Sequence, residues 1–183
     1  MRKVQLVVLC EDGRDRNLVW AYLRRRKYNL GRVRFSISPA GRGAADRWVQ
    51  SQYPSNVHNV RSYNARNAAK SRWLLVVTDA DTRTVQRRLE ELDEELAARL
   101  GTSERREPDD AVAALVPRRN IETWVYHLTR GYPEVSETID YKRRVSIDDV
   151  KAAGGELAAA DPTCRPTCPA SLCTGYAELQ RIS

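Results

Sequence analysis

Apolar residues enter this chain in short blocks that stop at acids. Val4 to Cys10 is an aliphatic and β-branched run ended by Glu11-Asp12-Gly13, the pattern of a strand buried on both faces of a parallel sheet. Between Arg14 and Tyr28 the residues Leu18, Val19, Tyr22 and Leu23 recur at helical spacing, with arginines on the outer face. Arg32 to Ser38 alternates, with Val33, Phe35 and Ile37 apolar, and predicts a second strand closed by the loop Pro39 to Gly43. Ala44 to about Ser62 reads as a helix broken near Pro54, and Ala65 to Ser71 as a connector. Trp73 to Thr78 is the clearest strand, and it runs straight into Asp79 and Asp81. Val85, Leu89, Leu92, Leu96 and Leu100 mark one face of a long helix ended by Gly101. Ala111 to Val116 is a further strand stopped by Pro117, and Asn120 is expected to cap a helix from Ile121 to about Leu128. Further on, the pattern predicts an extended stretch over Asp140 to Val145, a short helix from Ser146 to Ala153 capped by Ser146, and a last helix from Pro169 to Ile182.

Strands alternating with helices imply an α/β layer fold, because parallel strands need crossover connections and these are right-handed. The expected architecture is a Rossmann-like, mostly parallel sheet of about four strands flanked by helices. Residues 1–130 form the expected core, with residues 131–183 as a small irregular C-terminal extension packed on the same domain. A chain of 183 residues suits one domain of this kind.

Composition adds constraints. The hydrophobic fraction of 42% and charged fraction of 30% are those of a globular protein. No run approaches the roughly 18 apolar residues of a membrane span. The first apolar run ends in acids with no small-residue cleavage site, so a cytoplasmic, reducing setting is expected. On that footing Cys10, Cys164, Cys168 and Cys173 read as free thiols. The spacing C-x3-C-x4-C over Cys164, Cys168 and Cys173 lacks the paired C-x-x-C and fourth ligand of a common zinc site. The net charge of +7, from 31 Lys and Arg against 24 acids, favours a polyanionic partner such as nucleic acid.

Chemistry is expected where the acids are. In open α/β sheets functional groups collect beyond the carboxyl ends of the strands. Glu11 follows the first strand, Asp79 and Asp81 follow the central one, and Asp15 lies one helical turn beyond Glu11. If Asp79 and Asp81 project to one side of a strand end, both can face one metal ion. Carboxylates converging in this way repel unless a cation neutralises them, and hard oxygen donors suit Mg2+ or Mn2+. Glu11 alone would read as a cap or turn residue; the three together point to one or two bound ions. His58 and His127 are too few for a His-based site, and Trp48 and Trp124, at helical positions, read as packing rather than base stacking.

The segments VVLCEDG and LLVVTDAD resemble the two acidic motifs of the Toprim superfamily, a glutamate after the first strand and D-x-D after a later one. Defence-associated members of the OLD kind are similar to it further, with a first motif E-G-x-x-E. Here the motif reads Glu11-Asp12-Gly13-Arg14-Asp15, with the glycine displaced by one and Asp in place of the second Glu. The segment Arg119-Asn120-Ile121-Glu122-Thr123-Trp124 resembles a third element of small defence-associated Toprim proteins and brings in Glu122. The resemblance runs from Val4 to about Leu128. It implies a Mg2+- or Mn2+-dependent nuclease acting on DNA, or less often RNA, in an antiphage or mobile-element system with an ATPase partner. Asp79, Asp81 and Glu11 would hold the first metal, and Asp15 and Glu122 a second. Glu11 could instead serve as general acid and base, leaving Glu11, Asp79, Asp81 and Glu122 as the catalytic set. Arg14, Arg42, Arg118, Arg119 and Lys142 are the candidate phosphate-binding residues. A non-catalytic Toprim module for assembly on nucleic acid or protein is the alternative. A haloacid-dehalogenase-like phosphatase fits worse, since its D-x-D follows the first strand.

Overall fold

The most apolar segments of the chain form its sheet. In the computed structural model, which describes residues 4–39, 45–67, 72–101, 103–159, 164 and 166–182, the strands are β1 (Leu6–Cys10), β2 (Val33–Ile37), β3 (Trp73–Val77) and β4 (Val112–Leu115). They lie in the order β2-β1-β3-β4 and every pairing is parallel. Cys10 stands opposite both Ile37 and Val77, so the ends of three strands are level. The helices are α1 (Gly13–Arg25), α2 (Ala45–Ala65), α3 (Val85–Leu100), α4 (Ile121–Thr129), α5 (Ile147–Ala159) and α6 (Ala170–Gln180). Among the described residues no helix is long and apolar enough to cross a membrane.

Both faces of the sheet are covered, which is why β1 and β3 read as unbroken apolar runs. Leu6, Val8, Cys10, Leu75 and Val77 join one core with side chains of α1, α4, α5 and α6. Val7, Leu9, Leu74 and Val76 join the other with α2 and α3. From β1 the chain moves outward to β2, then returns past β1 to β3. That reversal puts α1 and α2 on opposite faces, as right-handed crossovers require. The connections leaving β1 and β3 therefore diverge, and a crevice opens beyond the strand ends between them.

Several local expectations change. α2 runs unbroken through Pro54 for 21 residues. Proline inside a helix costs about 3 kcal/mol, but Val49, Tyr53, Val57 and Val60 are all buried on the sheet-facing side, each worth roughly 1.5–3 kcal/mol. Leu100 ends up 38% exposed, and buried Arg88 takes a place on the inner face of α3 instead. Asn120 holds the N-cap position of α4 without a capping bond; its Nδ2 donates to Asp140 Oδ1 at 2.9 Å. The stretch expected to be extended contains a single 3₁₀ turn, Lys142–Arg144. Ser146 does cap α5, its Oγ accepting from Asp149 N while Asp149 Oδ2 accepts from Ser146 N, but the helix continues to Ala159. Residues 40–44, with Gly41-Arg42-Gly43, lie outside the described residues.

The cysteines depart furthest from expectation. Cys164 and Cys173 are joined in a disulfide, their Cα atoms 5.5 Å apart, because the turn before α6 folds the chain back on the first turn of that helix. Cys10 is fully buried between the sheet and α1, and burial pushes its thiol far up, away from reactivity.

α5 and α6 complete the core. Trp124 of α4 is wholly buried, its Nε1 donating to Ser171 Oγ at 2.7 Å, while Gly175 leaves room for the indole. Glu178 of α6 accepts from Ala114 N at 2.8 Å and pairs with Arg106, closing part of the open edge of β4. In α5, Gly154 lies so near α1 that a Cβ would stand 2.4 Å from Leu18 O and 2.7 Å from Ala21 Cβ, whereas beside Gly155 there is open space. Helix propensity favours alanine at both positions by about 1 kcal/mol. Urea denaturation should therefore show Gly155→Ala more stable by up to about 1 kcal/mol and Gly154→Ala less stable by about 1–3 kcal/mol.

Candidate functional site

Glu11 sits directly beyond β1, and Thr78 and Asp79 directly beyond β3, on the two sides of the crevice. Glu11 Oε1 accepts from Thr78 Oγ1 at 2.5 Å and from Asp79 N at 3.0 Å, binding the two strand ends together. The next turn is fixed from β4, where Ala80 N donates to Pro117 O at 2.8 Å. Asp81 then adopts a left-handed backbone, φ 56°, which aspartate tolerates better than most residues. Since β3 ends at Val77, Asp79 and Asp81 are not alternate residues of a strand: Asp79 is turned in, and Asp81 is exposed on a turn. Asp81 still adds to the field on Asp79.

Asp15 is buried, and its Oδ2 accepts from Glu11 N at 3.1 Å and Asp12 N at 3.2 Å. Asp12 in turn caps Arg14 N and Asp15 N. This capping box orients the Glu11 backbone at the mouth of α1. Glu122 comes from the first turn of α4 and is 1% exposed. Its Oε1 pairs with Arg14 Nη1 at 2.7 Å, joining α1 to α4 across the site. Among the described residues its Oε2 is buried without a hydrogen-bond partner, as is Asp79 Oδ1.

Two buried carboxylate oxygens with no partner are costly, since such groups are nearly always satisfied. The acids also repel one another. Burial, followed by the charges of Asp15, Glu11, Asp81 and Glu122, holds Asp79 well above the usual carboxylate range. Burial and then Asp12 and Glu11 do the same to Asp15. Burial raises Glu11 against the opposing effect of its bonds to Thr78 and Asp79. A hard divalent cation suits the chemistry of this donor set and would offset the repulsion, but among the described residues no three of these carboxylates bring an oxygen each within 4.8 Å of one another.

Arg88 has no counterpart in the sequence reading. Its side chain is fully buried, Nε donating to Asp79 O at 2.9 Å and the guanidinium pairing with Glu91 at 3.1 Å and Asp46 at 3.3 Å. It holds the Asp79 loop from behind. The signal is a basic residue inside the apolar stripe Val85-Leu89-Leu92-Leu96: Arg88 is buried there while Leu89 is only partly buried against the same core. Thr78, directly before Asp79, likewise contributes to the site through its bond to Glu11. Of the candidate phosphate-binding residues, Arg14 lies at the site on Glu122. Arg119 and Lys142 gather instead around Asp140, lowering its affinity for a proton after the bond from Lys142 N. Arg118 is half-buried just before α4, and Arg42 lies outside the described residues. His127 is packed in the core, Nδ1 2.8 Å from Pro133 O.

No protein-family model matches the sequence, and no curated protein matches it. Among solved structures, the C-terminal region of the OLD protein of Xanthomonas campestris pv. campestris is similar with a TM-score of 0.43 at 14% identity, over 98% of this chain and 96% of that one. The C-terminal region of the Burkholderia pseudomallei OLD protein is similar with a TM-score of 0.42 at 14% identity, over 97% and 98%. At these scores the assignment of the site rests on its own geometry.

Proposed function

We propose that the chain is a Toprim-like nuclease that uses Mg2+ or Mn2+ to hydrolyse phosphodiesters of DNA. One observation carries this reading: Asp79 and Glu122, from separate parts of the chain, each bury a carboxylate oxygen with no partner among the described residues, inside a group of acids whose mutual repulsion calls for a cation. Glu11, Asp79, Asp81 and Glu122 would hold the ion or ions, with Asp15 beside them. Bound there, the metal supplies Lewis-acid polarisation of the phosphodiester and activation of water. An antiphage or mobile-element setting with a partner ATPase is part of the proposal and comes from the motif resemblance.

The chain's own groups have distinct tasks. Glu11 keeps Oε1 in two hydrogen bonds, which leaves Oε2 for an ion or, in the alternative role of general acid and base, for a proton. Arg88 and Thr78 keep the Asp79 turn in place. Arg14, a third exposed, neutralises Glu122 and can turn to a phosphate oxygen when Glu122 is otherwise satisfied.

Calorimetry should show Mn2+ binding to the wild type and none to Asp79→Ala/Asp81→Ala, with cleavage of plasmid DNA lost in parallel. A folded wild type that takes up no metal would support the assembly module instead.

The raised proton affinities give a second test. A carboxyl that is more basic in the native state than in the unfolded chain contributes stability that is complete below its unfolded pKa, about 4. That contribution is lost as pH rises through the native value. In chelator, therefore, Asp79→Asn should unfold at a higher temperature than the wild type at neutral pH, with the gap closing towards pH 4. Added Mg2+ should raise the wild-type midpoint and leave that of Asp79→Asn in place. An Asn variant less stable than the wild type in chelator at neutral pH would show that Asp79 is not under electrostatic strain.

A further inference from the structure

Away from the carboxylate crevice, Cys164, Cys168 and Cys173 bring their sulfurs within 4.8 Å of one another. The nuclease reading makes no use of them. Cys164 is exposed, and Cys168 and Cys173 are half-buried. Cys168 lies in the turn before α6 and Cys173 in the first turn of that helix. We propose that, when reduced, these three cysteines form a zinc-binding site of three thiolates.

The geometry is close to what one ion needs. Zinc–thiolate bonds of about 2.3 Å in a tetrahedron put neighbouring sulfurs about 3.8 Å apart. The three sulfurs lie within 4.8 Å of one another, two of them held there by the disulfide that reduction opens. The Cα separation of 5.5 Å between Cys164 and Cys173 accommodates either a bonded pair or two ligands of one ion. Two of the three come from the turn and first turn at the N-terminus of α6, where the helix dipole favours thiolates. Sulfur donors select zinc over the magnesium or manganese suited to the oxygen site. The fourth position is left to solvent or an external ligand.

The disulfide is the oxidised alternative to this site. Opening it takes two electrons and two protons: as Cys164 and Cys173 become thiols, a dithiol reductant closes into its own disulfide. Zn2+ then displaces three protons from the three thiols. The site also bears on the rest of the fold, because Ser171, between Cys168 and Cys173, accepts the bond from Trp124 Nε1 and donates its own N–H to Glu137 Oε1 at 3.1 Å. Zinc would fasten the start of α6 where it meets α4, the helix that carries Glu122.

The full chain, reduced with a phosphine and freed of metal, should be titrated with Co2+ and then Zn2+. One equivalent of Co2+ should produce an intense thiolate-to-cobalt charge-transfer band, and Zn2+ should abolish it. Carboxylates give no such band, so Asp79→Ala/Asp81→Ala should keep it, which separates this site from the proposed nuclease centre. Cys168→Ser retains the Cys164–Cys173 pair yet should lose most of the band, with circular dichroism confirming the fold. Exposed Cys164→Ser serves as the second variant if Cys168→Ser does not fold. No band from folded, reduced wild type, or an undiminished band in the folded serine variant, would overturn the proposal.

Discussion

A reversal in the path of the chain governs everything else. After β2 it must pass β1 again to lay down β3, and right-handed crossovers then force α1 and α2 to opposite faces. The connections after β1 and β3 part company, leaving the ends of two neighbouring strands uncovered. Glu11, Thr78 and Asp79 occupy those ends because they are the first polar residues after each buried run. The bond network from Glu11 Oε1 to Thr78 and Asp79 then does for the strand ends what the ladder does for the strands.

The same arrangement concentrates negative charge beyond what the fold itself compensates. Asp15 earns its place through the cap on α1, and Arg88 offsets Asp46 and Glu91, but neither meets Asp79 Oδ1 or Glu122 Oε2. Groups tuned in this way are common at functional centres and costly elsewhere. The basic excess of the chain weighs less than its number implies. Arg61 is clamped to Asp110 and Glu104, Arg106 to Glu178 and Arg130 to Asp149. Much of the arginine is therefore structural, and the few cations near the crevice are left to meet a polyanionic partner there.

Legibility in the sequence followed how local each feature was. The strands and the acids that end them could be read because burial on two faces leaves an unbroken apolar run with a sharp polar stop. The helix through Pro54 could not, because proline's local penalty is visible in sequence while the offsetting burial of Val49, Tyr53, Val57 and Val60 is tertiary. Arg88 was hidden for a similar reason: only the fold shows that its partners Asp46 and the Asp79 carbonyl arrive from elsewhere. Glu122 had an ordinary helix-start reading by itself, and it was the motif resemblance that singled it out. Among the cysteines, spacing gave no hint that the turn before α6 would bring three sulfurs together.

The two arginines at the crevice differ in a way that bears on mechanism. Arg88 is fully buried and fixed by a carbonyl and two carboxylates from α2 and α3, so moving it would strand several charges in the interior. It can only be scaffold. Arg14 is a third exposed, and its recorded ion pair is with Glu122, whose own side chain is 2% exposed. Removing that guanidinium without replacement would leave a buried carboxylate unpaired, which disfavours its departure. A cation held at Glu122, as the proposed function has it, would lift that penalty and leave Arg14 free to move. On that proposal Arg14 would be bound to an acid without the metal and available to a phosphate with it, an ordering that burial and charge dictate.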